Sequence, residues 1–160
     1  MTQDSTTTSI RFATRADAGA IAEMSRDLIE RGLGWSWTRE RVLRSVRHPE
    51  TNAIVAVREG ERAGFGIMKY GEDEAHLLLL AVRPGHARHG VGSALVQWLE
   101  RSAGVAGIVR VLLEARVGNV AARGFYARLG YVESQTMLGY YDGREASVRM
   151  AKELAGGPSP

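Results

Sequence analysis

The chain has 160 residues, 44% hydrophobic and 24% charged, with no cysteine and a formal net charge of +3 from 21 Lys and Arg against 18 Asp and Glu. That length suits one domain with a real core, and the missing cysteines exclude disulfides and thiolate metal sites, which fits a reducing cytoplasm. The opening MTQDSTTTS lacks the basic-then-apolar order of a secretory signal, and no apolar run approaches the ~20 residues of a membrane span, so a cytoplasmic protein without a membrane partner is expected. Arginines scattered from Arg11 to Arg149, with no cluster and no interleaved aromatics, argue against a nucleic-acid partner. A phosphorylated cofactor remains compatible with the positive balance.

Residues 1 to 9 read as a polar tail and Ile10 to Ala13 as a first strand. Thr14, with Asp17 three positions on, caps a helix predicted from Arg15 to Arg31, buried along Ile21, Met24, Leu28 and Ile29. A loop, GWSWT, follows; Trp35 and Trp37 there either line a pocket for an incoming substrate or pack over the adjacent helix, which Thr38 caps and which ends before Pro49. Asn52 to Val57 and Ala63 to Tyr70 form a hairpin around Glu59-Gly60-Glu61. Residues 75 to 82, AHLLLLAV, read as a strand covered on both faces, stopped by Pro84 and Gly85. From Val91 the apolar positions Val91, Leu95, Trp98 and Leu99 change to helical spacing.

Ile108 to Ala115 is a second buried strand, broken by Glu114, and a polar turn from Arg116 to Asn119 leads into a helix from Val120 to Leu129 closed by Gly130. Tyr131 to Leu138 and Glu145 to Met150 are strands flanking Tyr140-Tyr141-Asp142-Gly143, and residues 155 to 160 are a loose tail. The body, 10 to 154, reads as a single domain on a mixed, twisted α/β sheet.

Gly90 and Gly92 remove side chains where a helix begins, so that its first backbone NH groups can reach an anion. No Lys follows as a P-loop requires, and Leu95 stands where a dinucleotide fingerprint needs glycine or alanine. His86 and His89 are spaced like metal ligands but have no acidic or cysteine neighbour in sequence, so no metal is expected.

VRPGHARHGVGSAL, joined to LEARVGNVAARGFYARLGY, resembles the GNAT superfamily of acetyl-CoA-dependent N-acetyltransferases, and within it the ribosomal-protein-alanine (RimI-type) branch. The carrying forms are V-x-P-x-[YF]-[QR]-x-x-G-x-G-x-x-L and L-E-x-R-x-x-N-x-x-A-x-x-x-Y-x-x-x-G-[YF]. Two departures are Ala87, where Gln or Arg is expected, and Ala146, where an acidic residue is expected. The resemblance implies a sheet of six to seven strands flanked by about four helices, and acetyl-CoA as donor. It places Leu80, Ala81 and Val82 along the pantetheine arm, Arg88, His89, Gly90, Val91, Gly92 and Ser93 around the diphosphate, and Asn119 on the cofactor. Glu114 and Tyr126 fall at the positions of general base and general acid. Trp35, Trp37, Tyr140 and Tyr141 are the candidate acceptor-site residues, and a homodimer is compatible.

The chemistry explains these residue types. An ammonium has no lone pair, so a base must free the amine, and burial at the end of an apolar strand would push the Glu114 carboxyl up toward working pH. A phenol such as Tyr126 can hand a proton to the departing thiolate. The structural alternatives are Glu114 paired with an arginine and Tyr126 packed beside Phe125 and Leu129; rival bases are Glu72, Glu74 and His76. An α-amine of pKa about 7.7 to 8.0 is roughly one-tenth neutral at pH 7, against about one part in a few thousand for lysine, so a single modest base suits an N-terminal or small amine. The readings are therefore transfer to a peptide N-terminus, transfer to a small-molecule amine, or acyl-CoA sensing without turnover.

Overall fold

The computed structural model describes residues 7–139 and 145–154. Seven strands form one sheet in the order β1-β2-β3-β4-β5-β7-β6. They are β1 (Ser9–Phe12), β2 (Thr51–Arg58), β3 (Glu61–Tyr70), β4 (Glu74–Val82), β5 (Arg110–Arg116), β6 (Val132–Met137) and β7 (Ser147–Glu153). The helices are α1 (Ala18–Met24), α2 (Arg39–Arg47), α3 (Val91–Val105) and α4 (Val120–Arg128). Every neighbouring pair of strands is antiparallel except β4 and β5, which are joined by α3 and run parallel. The expected mixed sheet and four helices are both present, and no described helix is long and apolar enough to cross a membrane.

The core has a layer on each face of the sheet. On one face Val91, Leu95, Val96, Leu99 and Ala103 of α3 pack on Ile54, Ala56, Met68, Leu77, Val111 and Leu113, with Phe125, Tyr126 and Leu129 of α4 against the same layer. Gly66 lets α3 lie close, since a Cβ there would sit 3.1 Å from a Leu99 methyl. On the other face Ile21 and Met24 of α1 and Val42 of α2 cover Val55, Phe65, Ile67, Leu79 and Ala81.

Two elements differ from the sequence expectation. The single helix expected over Arg15 to Arg31 is a 3₁₀ turn (Arg15–Asp17), α1, and a π-helical turn (Ser25–Ile29) closed by the Glu30 amide donating to Ser25 O at 2.7 Å. Ser25 is buried beside the Glu30 carboxylate, and that polar contact widens the last turn.

β4 is the second correction. Ile67 pairs with Leu79 and Met68 with Leu77, so Leu78 is an extra residue, a β-bulge. Leu77 therefore packs under α3 while Leu79 and Ala81 pack under α1 and α2. The strand is not covered throughout: Leu78 is 37% exposed, because β4 pairs with β5 only from Glu74 to His76 and the two strands then part.

Asp17 ties the start of α1 to the sheet edge. Its buried carboxylate accepts from Arg11 at 2.7 and 2.9 Å, from Arg62 at 2.7 Å and from the Thr14 amide at 2.7 Å. The Arg11 hydrogen bonds hold the Asp17 carboxyl well below the usual carboxylate range, against the opposing effect of burial. Because the folded value is depressed, the contribution to stability is present above the ordinary carboxylate pKa and is lost as pH falls toward the folded one. Asp17→Asn is expected to cost about 2 kcal/mol in urea denaturation at pH 7, at the low end for a buried pair because both arginines can rehydrate, with the gap to the parent narrowing below about pH 4.

Candidate active site

The parting of β4 and β5 opens a slot through the sheet. It has a volume of about 300 Å³. Leu77 to Leu80 of β4 form one wall and Leu113 to Arg116 of β5 the other. Leu28, Ile29 and Arg31, from the π-helical turn and the loop after it, close one side, while Asn119, Ala122 and Tyr126 of the α4 segment close the opposite one. Arg116 Nη2 donates to Ile29 O at 2.8 Å, so β5 holds the π turn at the mouth.

At the C-terminal end of β4 the chain turns through a 3₁₀ segment (Pro84–His86) into α3. Arg88 and Gly90 both have left-handed backbones, with φ of 66° and 76°. Gly90 caps α3 with no side-chain bond, so the first amides of the helix are left for an external partner. A Cβ on Gly92 would sit 3.1 Å from the Phe125 ring and 3.6 Å from a Val82 methyl, so bulk there is resisted by α4 and β4 together. Arg88, His89 and Gly90 are exposed, Gly92 and Ser93 are half-buried, and Val91 is buried under α3. Leu80 borders the slot, Val82 lies half-buried beside Gly92, and Ala81 faces the α1 side of the core.

Glu114 and Tyr126 both line the slot. The burial expected for Glu114 is absent: it is exposed and accepts from Arg149 Nη2 at 3.1 Å, across the register pair Glu114–Arg149 of β5 and β7. Its face of β5 points away from α3 and α4, which is why an acidic residue in an apolar strand meets solvent. Tyr126 is half-buried between the rings of Phe125 and Tyr131, at 5.1 and 5.7 Å, and burial pushes its phenol up to about 12. Among the described residues its hydroxyl has no hydrogen-bond partner. Asn119 caps α4, its Oδ1 accepting from the Ala122 amide at 3.1 Å, while it lines the slot.

Other candidates are separated. Trp37 is only 8% exposed and belongs to the core under α2, with Arg41 stacked 3.9 Å from its ring centre, whereas Trp35 is 44% exposed with Arg26 at 5.5 Å. Of the two readings of the loop, packing holds for Trp37. Tyr140 and Tyr141, with the Asp142-Gly143 turn, lie outside the described residues. Glu72 and Glu74 sit in another depression at the start of β4, and Glu74 accepts from Arg110 at 2.9 Å. His76 borders that depression, and burial holds its pKa below the ordinary value while the Glu114 charge opposes.

Three features were not read from sequence. Glu30 accepts from Ser25 Oγ at 3.0 Å, Ser36 N at 2.7 Å, Ser36 Oγ at 2.5 Å and Trp37 N at 3.2 Å, and so fixes the loop beside the slot. A lone carboxylate flanked by GWSWT is its only sequence signal. Arg149 reaches Glu114 through the β5–β7 register, for which no local pattern exists. His86, which has no acidic neighbour in sequence, meets Glu61 at 2.9 Å because the β2–β3 hairpin folds back beneath it.

The family described as Acetyltransferase (GNAT) matches residues 22–131. The chain is 37% identical over 99 residues to the [ribosomal protein bS18]-alanine N-acetyltransferase of Escherichia coli, covering 60% of this chain and 67% of that protein. The crystal structure of the ribosomal-protein-S18-alanine N-acetyltransferase from Escherichia coli superposes with a TM-score of 0.81 at 25% identity, over 96% of this chain and 97% of that one. The PaiA N-acetyltransferase of Thermoplasma acidophilum, solved in complex with coenzyme A, has the same fold at a TM-score of 0.79 and 20% identity, over 92% and 99% of the two chains. The slot between parted strands, the open start of α3 and the matched segment together place this chain in the GNAT acetyltransferase family, to which it belongs.

Proposed function

We propose that this chain moves the acetyl group of acetyl-CoA onto a primary amine, with a peptide N-terminal amine as the acceptor class, using Glu114 as base and Tyr126, at the general-acid position, as hydrogen-bond donor to the leaving thiolate. The observation that carries the reading is the lost pairing of β4 and β5 beyond His76 and Leu112, which leaves a slot lined by both Glu114 and Tyr126. The residues fit the donor. Amides at the start of α3, with Arg88 and His89 beside them, suit a diphosphate, and the bare Gly92 lets Phe125 and Val82 pack against the helix start. The unpaired edge of β4 from Leu77 to Val82 offers backbone groups to an amide-bearing arm, beside the apolar side chains of Leu78 and Leu80. Asn119 contributes a side-chain amide on the α4 side.

Glu114 takes the proton from the acceptor ammonium. Its exposed carboxylate at the mouth can do this directly or through one water, and Arg149 fixes the rotamer. Tyr126 acts at the departing sulfur. A phenol near 12 is a far weaker acid than a thiol of about 8.5, so it stabilises the developing thiolate by donating a hydrogen bond rather than by giving up its proton outright. The acceptor class rests on the amine arithmetic and on the similarity to the bacterial ribosomal-protein acetyltransferase; a small-molecule amine on the same slot is the alternative.

Thiol release from acetyl-CoA with a panel of peptides and small amines tests the reading. Peptide amines are expected to outrun small ones, and binding without release for any acceptor would leave only a sensor. Glu114→Gln and Tyr126→Phe are each expected to lower kcat about 10²-fold or more with acetyl-CoA affinity unchanged. Full activity in the Glu114 variant would transfer the base role to His76, the rival that feels the Glu114 charge. Because burial raises the Tyr126 phenol, kcat is expected to hold level on the alkaline side up to about pH 10; a falling limb below that which persists in Tyr126→Phe would place the proton donor elsewhere. Gly92→Asp puts a negative charge in the first turn of α3 and bulk against Phe125, so that the helix start shifts, and is expected to weaken coenzyme A binding about tenfold or more by calorimetry.

A further inference from the structure

From Arg83 to Gly90 only one side chain, His86, is buried. It is 5% exposed and lies against Arg58, the last residue of β2, which is 4% exposed. Arg58 Nη1 is 3.1 Å from His86 Nδ1, and His86 Nε2 is 2.9 Å from Glu61 Oε2 at the start of β3. A guanidinium has no acceptor, so Nδ1 must accept and Nε2 must carry the hydrogen that Glu61 receives. That fixes one neutral tautomer and one ring orientation. In the motif that carries the family resemblance this position is Tyr or Phe, whereas here an imidazole stands on two polar partners from the neighbouring hairpin.

The hairpin itself is stiff. Its connection is the pair Glu59 and Gly60, both left-handed at φ of 54° and 74°, as a two-residue turn between antiparallel strands requires. The Arg83 amide donates to Ala63 O at 2.7 Å and Arg83 Nε to Arg62 O at 3.0 Å, so the start of the loop is tied to the same strand. Past His86 no side chain anchors the loop, yet Arg88 holds a left-handed backbone, which for a side-chain-bearing residue persists only when its surroundings impose it. Arg58 Nε meanwhile has no partner, a cost that a purely apolar anchor would avoid.

The geometry points to Arg58, His86 and Glu61 as a positioning relay that sets the Arg88 to Ser93 backbone for the diphosphate of the acetyl donor. The inference rests on the reading of that segment as the diphosphate seat. The three side chains act on the seat through the loop, and none is placed on the reacting atoms. Their effect falls on binding that is equal in ground and transition states, so it is read in KM and Kd rather than in kcat.

His86→Leu keeps an apolar anchor of similar size but removes both hydrogen bonds; His86→Gln can still accept from Arg58 and donate to Glu61. The expected result for the leucine variant is a rise of about tenfold or more in Kd for coenzyme A and in KM for acetyl-CoA, with kcat within about twofold, and near-parent values for the glutamine variant. If the leucine variant does not fold, Arg58→Leu combined with it removes the buried cation that has lost its imidazole acceptor, and that double variant is expected to fold while binding coenzyme A weakly. Parent-like affinity in either leucine protein, or a loss in kcat alone, overturns the relay. Gly92→Asp measured alongside separates the two readings: if it binds coenzyme A normally the seat itself is misplaced, and if it binds weakly while His86→Leu does not, only the relay falls.

Discussion

Everything that distinguishes this sheet from an ordinary mixed one follows from the parting of β4 from β5. The two strands share register only from Glu74 to His76 against Arg110 to Leu112, and beyond that each must find other partners for its inner edge. Buried backbone groups without partners are costly, so a parallel pair that separates must open to solvent or to a ligand. The bulge at Leu78 belongs to the same event, since it hands the strand from the α3 layer to the α1 layer just where the neighbour is lost. The slot is thus a consequence of topology, lined by whatever β4, β5, α4 and the π turn present.

Around that opening the polar residues work by fixing loops. Glu30 gathers four hydrogen bonds and holds the chain from Ser25 to Trp37; Arg116 ties the π turn to β5; His86 ties the loop before α3 to the β2–β3 hairpin. Glu30 is met by partners within its own loop, and Arg116 and His86 by partners distant in sequence, so each connection is fixed as a wall. By contrast Glu114 and Arg149 meet at a solvent-exposed position, where the pair orients a side chain more than it stabilises the fold.

Charge is distributed between the start of α3 and the slot. The start of α3, with Arg88 and His89 beside unsatisfied amides, favours an anion. The slot itself carries the exposed Glu114 carboxylate, held by Arg149, with Arg31 also on its lining. Tyr126 lies on the α4 side in apolar surroundings that keep its phenol protonated. A reaction that carries a group from an anionic donor to an amine is matched by this order of charges.

Local sequence was enough for the elements and for the glycine-marked start of α3, because helical spacing, alternation and the removal of Cβ atoms act over a few residues. Gly90 was legible that way, whereas Glu114, Asn119 and Tyr126 were singled out by the family resemblance that their shared motif carries. What the chain does with Leu78, Trp37 and His86 was not decided there. Leu78 looked like core and is exposed because a neighbouring strand departs; Trp37 could have lined a pocket or packed and is buried because α2 folds over it; His86 looked alone and has a carboxylate partner across a hairpin. Burial and pairing of this kind depend on strands far apart in the chain, so only the assembled sheet, through its register and its point of divergence, settled which side chains face the slot and which hold it open.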